Sequence, residues 1–168
     1  MTTIIKPDTL DFGVDSETLN DFRLKTLTPR LSEIANSKHF KFDIRQLVPG
    51  KYSFPYHFHR NAEELIMVLS GSMTLRTKDG LNVVNKGEII FFEMGETSAH
   101  QFFNHDNVPC TYLDLRTTVG IDVVEYPDSG KINISPYGEI FEKSSQVGYN
   151  KGEEKVGEVW RELQHKHK

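Results

Sequence analysis

The sequence predicts an all-β domain, and three observations carry that expectation. From His39 onward short apolar runs and alternating patterns dominate, as where Phe40, Phe42 and Ile44 are set against Lys41, Asp43 and Arg45. Turn chemistry then breaks those runs, at Pro49-Gly50, at Lys78-Asp79-Gly80 and at Gly95. Finally, three histidines and a glutamate fall inside the strand-like runs rather than between them. Such breaks in otherwise apolar strands need a chemical reason.

Taken in order, residues 1–15 are polar and mixed, interrupted by Pro7, Asp8 and Gly13, and read as an irregular arm. Thr28-Pro29 reads as a cap followed by proline at the first helical position, with Leu31, Ile34 and Ala35 on one face of a short helix. A half-buried strand over residues 39–48 has Phe40, Phe42 and Ile44 as its apolar face. Residues 50–71, GKYSFPYHFHRNAEELIMVLSG, follow as two strands joined by a turn at Arg60-Asn61-Ala62. Pro55 cannot donate to a ladder, so a bulge or edge is expected just before His57.

Side chains alternate along a strand, so His57 and His59 project to one side and Phe58 to the other. Glu64 can lie across the hairpin from His59, within reach of the same point, while Glu63 faces away into solvent. A fourth ligand comes from residues 87–107, GEIIFFEMGETSAHQFFNHDN, where an apolar strand runs into a turn at Gly95 and His100 opens an aromatic strand. The two other neighbouring histidines, His39 and His105, sit among polar residues and read as surface groups.

These two segments resemble the paired motifs of the cupin superfamily. His57-X-His59, four residues, Glu64, six residues and Gly71 are similar to the first motif, with one extra residue between Gly50 and His57. Gly87, Gly95, His100 and Asn104 are similar to the second, although Glu93 stands where proline is usual and four residues rather than two separate Gly95 from His100. The resemblance implies a double-stranded β-helix, the jelly-roll barrel, with a short N-terminal helix and a C-terminal helix added. It divides one structural domain into an arm and helix (1–38), a barrel (39–125) and a C-terminal loop and helix (126–168).

Residues 65–69 and 89–92 are apolar at every position, so both faces of these strands need cover, and a homodimer is the simplest supply. Between them a hairpin turns at Asp79-Gly80. In residues 110–116 Thr111, Leu113 and Leu115 form an apolar face, while Tyr112, Asp114 and Arg116 form a polar one that lies either in solvent or in a cavity. Residues 125–131 are turn-forming, and Tyr-Pro-Asp-Ser-Gly-Lys beyond the barrel is similar to a group of single-domain bacterial cupins, which brings no substrate with it. Val156, Val159, Trp160 and Leu163 have helical spacing, with Glu153 and Glu154 at the start and Lys166 and Lys168 at the end. Trp160 is expected to anchor that helix, and His165 and His167 lie on a polar tail that holds no metal geometry.

Three imidazoles and a carboxylate, His57, His59, His100 and Glu64, suit one divalent Mn, Fe, Ni, Co or Zn ion and argue against a thiolate-bound structural zinc. Four protein ligands leave two octahedral positions for a substrate. Phe91, Phe102, Ile66 and Val68 are expected to form an apolar pocket around the ion, with Asn104, Tyr112 and Asp114 as polar contacts. The resemblance implies a metal-dependent enzyme acting on a small oxygen-rich molecule, of dioxygenase, decarboxylase or isomerase type; a non-catalytic small-molecule-binding or sensing protein is the alternative.

The 168 residues suffice to bury roughly two thirds of the unfolded surface in one core. A net charge of -4 gives no basic face for nucleic acid. No apolar run has the length of a membrane span, and the single cysteine, Cys110, excludes an internal disulfide, so a reducing cytoplasm is the expected location. Cys110, at the start of an apolar strand, reads as a buried and inert thiol.

Overall fold

Two facing layers of antiparallel strands enclose the chain's interior, and the assignment of strands to layers decides where the histidines meet. A computed structural model describes residues 2–14 and 19–166. The strands are β1 (Asp11–Val14), β2 (Leu24–Thr28), β3 (Phe40–Leu47), β4 (Phe58–His59), β5 (Glu64–Ser70), β6 (Ser72–Thr77) and β7 (Gly80–Asn85), then β8 (Ile89–Phe92), β9 (Gln101–Phe103), β10 (Cys110–Thr117), β11 (Asp122–Tyr126), β12 (Lys131–Ser135) and β13 (Glu139–Glu142). The α-helices among the described residues are α1 (Leu31–Ile34) and α2 (Val156–Lys166), with short 3-10 turns at Pro7–Thr9, Glu96–Ser98 and Lys143–Ser145. One layer is a six-stranded sheet in the order β1-β2-β3-β10-β5-β8. The other combines β7-β6-β9 with β13-β12-β11-β4. Its halves are joined by the backbone pair His57 and His100, each N–H donating to the other's carbonyl at 3.1 and 2.9 Å. The arrangement is a jelly-roll barrel.

Several local expectations change. β4 and β5 are not a hairpin: β4 pairs with β11 and β5 with β10 and β8, so His59 and Glu64 face each other across the two layers. Helix α1 starts later than the Thr28-Pro29 signal suggests, with Arg30 at its cap, because Thr28 is held as the last residue of β2. The N-terminal arm contains β1, and residues 126–168 contribute β12 and β13 in addition to a helix. Trp160 is 61% exposed and no residue of α2 is buried, so within this chain it anchors nothing. His167 and Lys168 lie outside the described residues. Among the described residues, no helix is long and apolar enough to cross a membrane.

The interior changes character along the strands, and this gradient positions the site. On β3, β10 and β5 the inward residues fall in register: Leu47 beside Cys110, Arg45 beside Tyr112 beside Val68, Asp43 beside Asp114 beside Ile66, and Lys41 beside Arg116 beside Glu64. One end of the barrel is therefore filled. Leu24, Leu47, Ile66, Val68, Met73, Leu75, Val84, Phe92, Phe102, Cys110 and Tyr112 pack there as one core. At this end burial pushes the Cys110 thiol up to about 11, in keeping with an inert side chain. The other end is lined by charged groups and stays open.

The same register overturns the facing expected for β3. Phe40 is exposed and Phe42 and Ile44 are only partly covered, whereas Asp43 and Arg45 are buried. The polar side of β10 turns inward too, which decides between cavity and solvent for Tyr112, Asp114 and Arg116 in favour of the interior. Gly71 illustrates how tightly the filled end is closed. Its φ is +75°, and a Cβ there would stand 3.0 Å from the Pro109 carbonyl and 3.2 Å from Cys110 Cα, so only glycine fits without strain.

Candidate metal centre

His57, His59 and Glu64 converge, with ligand atoms all within 4.8 Å of one another. His57 and His59 share one face of the β4 segment, while Phe58 packs on the other side with Tyr56 and Ala99. Glu64 opens β5 in the facing layer, and His100 is brought beside His57 by their backbone pairing, with ring centroids 4.7 Å apart. The Glu64 Oε2 atom lies 3.6 Å from His59 Nε2 and 3.4 Å from His100 Nε2. All four side chains are buried.

The opposite ring nitrogens are already engaged. Nδ1 of His57 lies 2.8 Å from the Pro55 carbonyl, Nδ1 of His100 lies 2.9 Å from the Ser98 carbonyl, and Nδ1 of His59 lies 2.5 Å from Asp122 Oδ2. A carbonyl only accepts, so His57 and His100 carry their protons on Nδ1 and turn the lone pair of Nε2 toward Glu64. The Asp122 carboxylate fixes His59 in the same sense. Burial pushes the His57 imidazole down to about 3, so that ring is neutral at physiological pH. Burial opposes ionisation of Glu64, and it is positive charge at His100, His57 and His59 that reverses this and holds the carboxyl below its usual range.

This donor set fits a divalent cation. Glu64 Oε2 is buried without a hydrogen-bond partner, and an orphaned carboxylate oxygen facing imidazole lone pairs is unfavourable unless something positive stands between them. Second-layer acceptors on each imidazole are the usual means of orienting metal-binding histidines.

A cavity of about 250 Å³ opens from this cluster and is lined by His57, His59 and Glu64 together with Asp114, Arg116, Arg45, Lys41, Tyr126 and Asn133. Its walls correct the expected apolar pocket. Ile66, Val68, Phe102 and Tyr112 belong to the filled core, one or two register positions deeper than Glu64. Phe91 is 58% exposed, because the pairing of Glu64 with Phe92 puts Phe92 on the inward side. Phe92 stacks on His100 with centroids 3.7 Å apart and an interplanar angle of 12°. Asn104 is fully buried but serves the chain itself: its amide donates to the Leu47 and Val108 carbonyls and its oxygen accepts from Asp106 N–H. Glu63 is exposed, as expected.

Of the polar contacts expected, Asp114 lines the cavity. Burial, together with the nearby Glu64, pushes its carboxyl up to about 6, against the pull of Arg45, whose Nε lies 2.5 Å from Asp114 Oδ2. Asp122, Phe92, Lys41, Arg45 and Arg30 were not singled out from the sequence. The signal for Lys41 and Arg45 was the polar half of β3, which carries the same charged pattern as the polar half of β10 and pairs with it residue for residue.

Comparison with known proteins agrees with this fold. Residues 44–116 match the family model of the cupin domain. The barrel has the cupin fold. Among solved structures, this chain is similar to a sugar phosphate isomerase of the cupin superfamily from Silicibacter pomeroyi, at 21% identity and a TM-score of 0.75, covering 88% of this chain and 98% of that one. It is also similar to a protein from Acidithiobacillus ferrooxidans described as a candidate sugar phosphate isomerase, at 25% identity and a TM-score of 0.66, covering 74% and 80%. A predicted oxalate decarboxylase from Thermotoga maritima shares 17% identity at a TM-score of 0.59, covering 70% and 100%. Curated proteins give no significant match.

Proposed function

We propose that this cupin is a metal-dependent enzyme acting on a small oxygen-rich molecule, with one divalent ion held by His57, His59, Glu64 and His100. The observation that carries the reading is the orphaned Glu64 Oε2, facing imidazoles whose far nitrogens are already bonded. Bound there, the ion would supply Lewis acidity toward a carbonyl or hydroxyl oxygen of the substrate.

The chain's own residues do the rest. Asp122, Pro55 and Ser98 hold the three imidazoles in one tautomer. Asp114 lines the cavity with its carboxyl raised by burial and by Glu64, which places it as the general acid or base, and Arg45 fixes its orientation. Phe92 covers His100 from the core side and keeps water from that face. Among the dioxygenase, decarboxylase and isomerase types, we favour isomerisation: it needs a proton-transferring carboxyl and no oxidant, and the 25% identical Acidithiobacillus protein is described as a candidate isomerase of sugar phosphates. The single, buried Cys110 supports a reducing, cytoplasmic setting.

Elemental analysis of protein made without a histidine tag, beside a His57→Ala/His100→Ala variant, tests the reading. One equivalent of Mn, Fe, Ni, Co or Zn, lost in the variant, is expected. If neither protein holds metal after reconstitution, the metalloenzyme reading falls.

A further inference from the structure

Lys41 and Arg116 stand directly opposite each other on paired strands β3 and β10, on the side that faces the cavity. Like charges in that relation repel, and the usual remedy is a carboxylate between or beside them. Here there is none. Among the described residues neither Lys41 nor Arg116 has a carboxylate within 4.0 Å, and the only polar side chain that Arg116 meets is the His59 ring, at 3.4 and 3.5 Å.

The nearby acids are engaged elsewhere. Asp114 is held by Arg45, Asp43 accepts the Leu31 N–H at 2.8 Å, and Glu64 points into the imidazoles. Partial burial and then the neighbouring Arg116, Arg30 and Arg45 push the Lys41 ammonium below its usual range, and Asp43 offsets them only in part. Arg116 carries this charge from Lys41 at the mouth to the edge of the metal centre at His59.

We infer that Lys41 and Arg116 form a subsite for an anionic group, a carboxylate or a phosphate, on the substrate whose other oxygens meet the metal centre. An anion between the two side chains would relieve their repulsion and would gain paired N–H donors from the guanidinium. It would sit within one residue's reach of His59, so the substrate class is a short one: an acidic or phosphorylated molecule with its anion adjacent to its reacting oxygens. The inference rests on the metalloenzyme reading for that second end only.

The test titrates the full-length protein with inorganic phosphate and, separately, with acetate by calorimetry, and measures metal content on the same samples. Lys41 is exposed, so Lys41→Gln is expected to fold. One anion site per chain is expected, weakened about fivefold or more by Lys41→Gln and restored by Lys41→Arg. Lys38→Gln, an exposed lysine bonded to Asn36, is the charge control and should leave binding unchanged. The tighter of the two anions identifies the source, phosphate or carboxylate. No anion binding to the wild-type protein, or binding that Lys41→Gln leaves unchanged, overturns the subsite whatever the metal content; absent metal with the anion effect intact overturns only the metalloenzyme reading.

Discussion

Asp122 Oδ2 lies 2.5 Å from His59 Nδ1, on the far side of the ring from Glu64, and its second oxygen accepts the Asn61 N–H at 3.0 Å. The carboxylate thus orients an imidazole without reaching the ligand cluster itself. Burial works against ionisation of Asp122, but its bond to His59 and the Asn61 N–H hold the carboxyl below its usual range. Asp122→Asn should keep the fold and lower metal affinity about 10- to 100-fold. Competition against a chelator of known affinity measures this, and unchanged affinity would show that His59 needs no such orientation.

Phe91 and Phe92 are neighbours in sequence with opposite roles. Phe92 packs in the core and stacks on His100, whereas Phe91 faces outward. Phe92→Ala should cost about 3–5 kcal/mol in urea denaturation, and Phe91→Ala about 0.5 kcal/mol or less in the monomeric chain. Equal costs would mean that the inward and outward sides of β8 have been misassigned.

His57 gives the metal-free protein a characteristic response to acid. Burial takes its pKa down to about 3 from the ordinary 6.5, so between those values the unfolded chain binds a proton at this position and the folded chain does not. Stability at this group therefore falls as pH falls through that window, by up to about 1.4 kcal/mol per unit, and is undisturbed above it. Denaturation midpoints at pH 7 and pH 4.5 should diverge in the wild type and less so in His57→Gln; equal divergence in the two would remove His57 as the cause.

The outer surface of the six-stranded sheet carries a row of Ile44, Leu113, Met67 and Ile89 in cross-strand register, with Leu115, Leu65 and Phe91 beside it. Ile89 is 61% exposed. We expect a second copy of the chain to cover this face, since a contiguous apolar surface of this kind is seldom left in water. Sedimentation should give twice the chain mass for the wild type and the chain mass for Phe91→Glu. A monomeric wild type would sink the dimer.

The ligand cluster was the most legible part of the sequence, because His57-X-His59 and Glu64 depend only on strand alternation and a short connection. Even there the route differed: the connection crosses from one layer to the other and is not a hairpin. The facing of β3 was misread for a physical reason. Alternation assigns two faces but not which one is inside, and in this barrel the outward side is the apolar one while the site end of the interior is charged. Phe91 was chosen over Phe92 for want of the register that ties Phe92 to Glu64. Asp122 lies 63 residues from His59, and a contact at that separation leaves no local pattern.

The segment matching the cupin domain, residues 44–116, contains every ligand candidate, yet half of the cavity wall comes from outside it: Arg30, Lys41, Phe42 and Asp43 before, Val124, Tyr126, Asn133 and Ser135 after. The ligand candidates thus lie in one stretch of chain, while the wall around them is shared with its flanks. Two proteins alike in residues 44–116 can therefore present different cavity walls, because the flanking strands supply the rest.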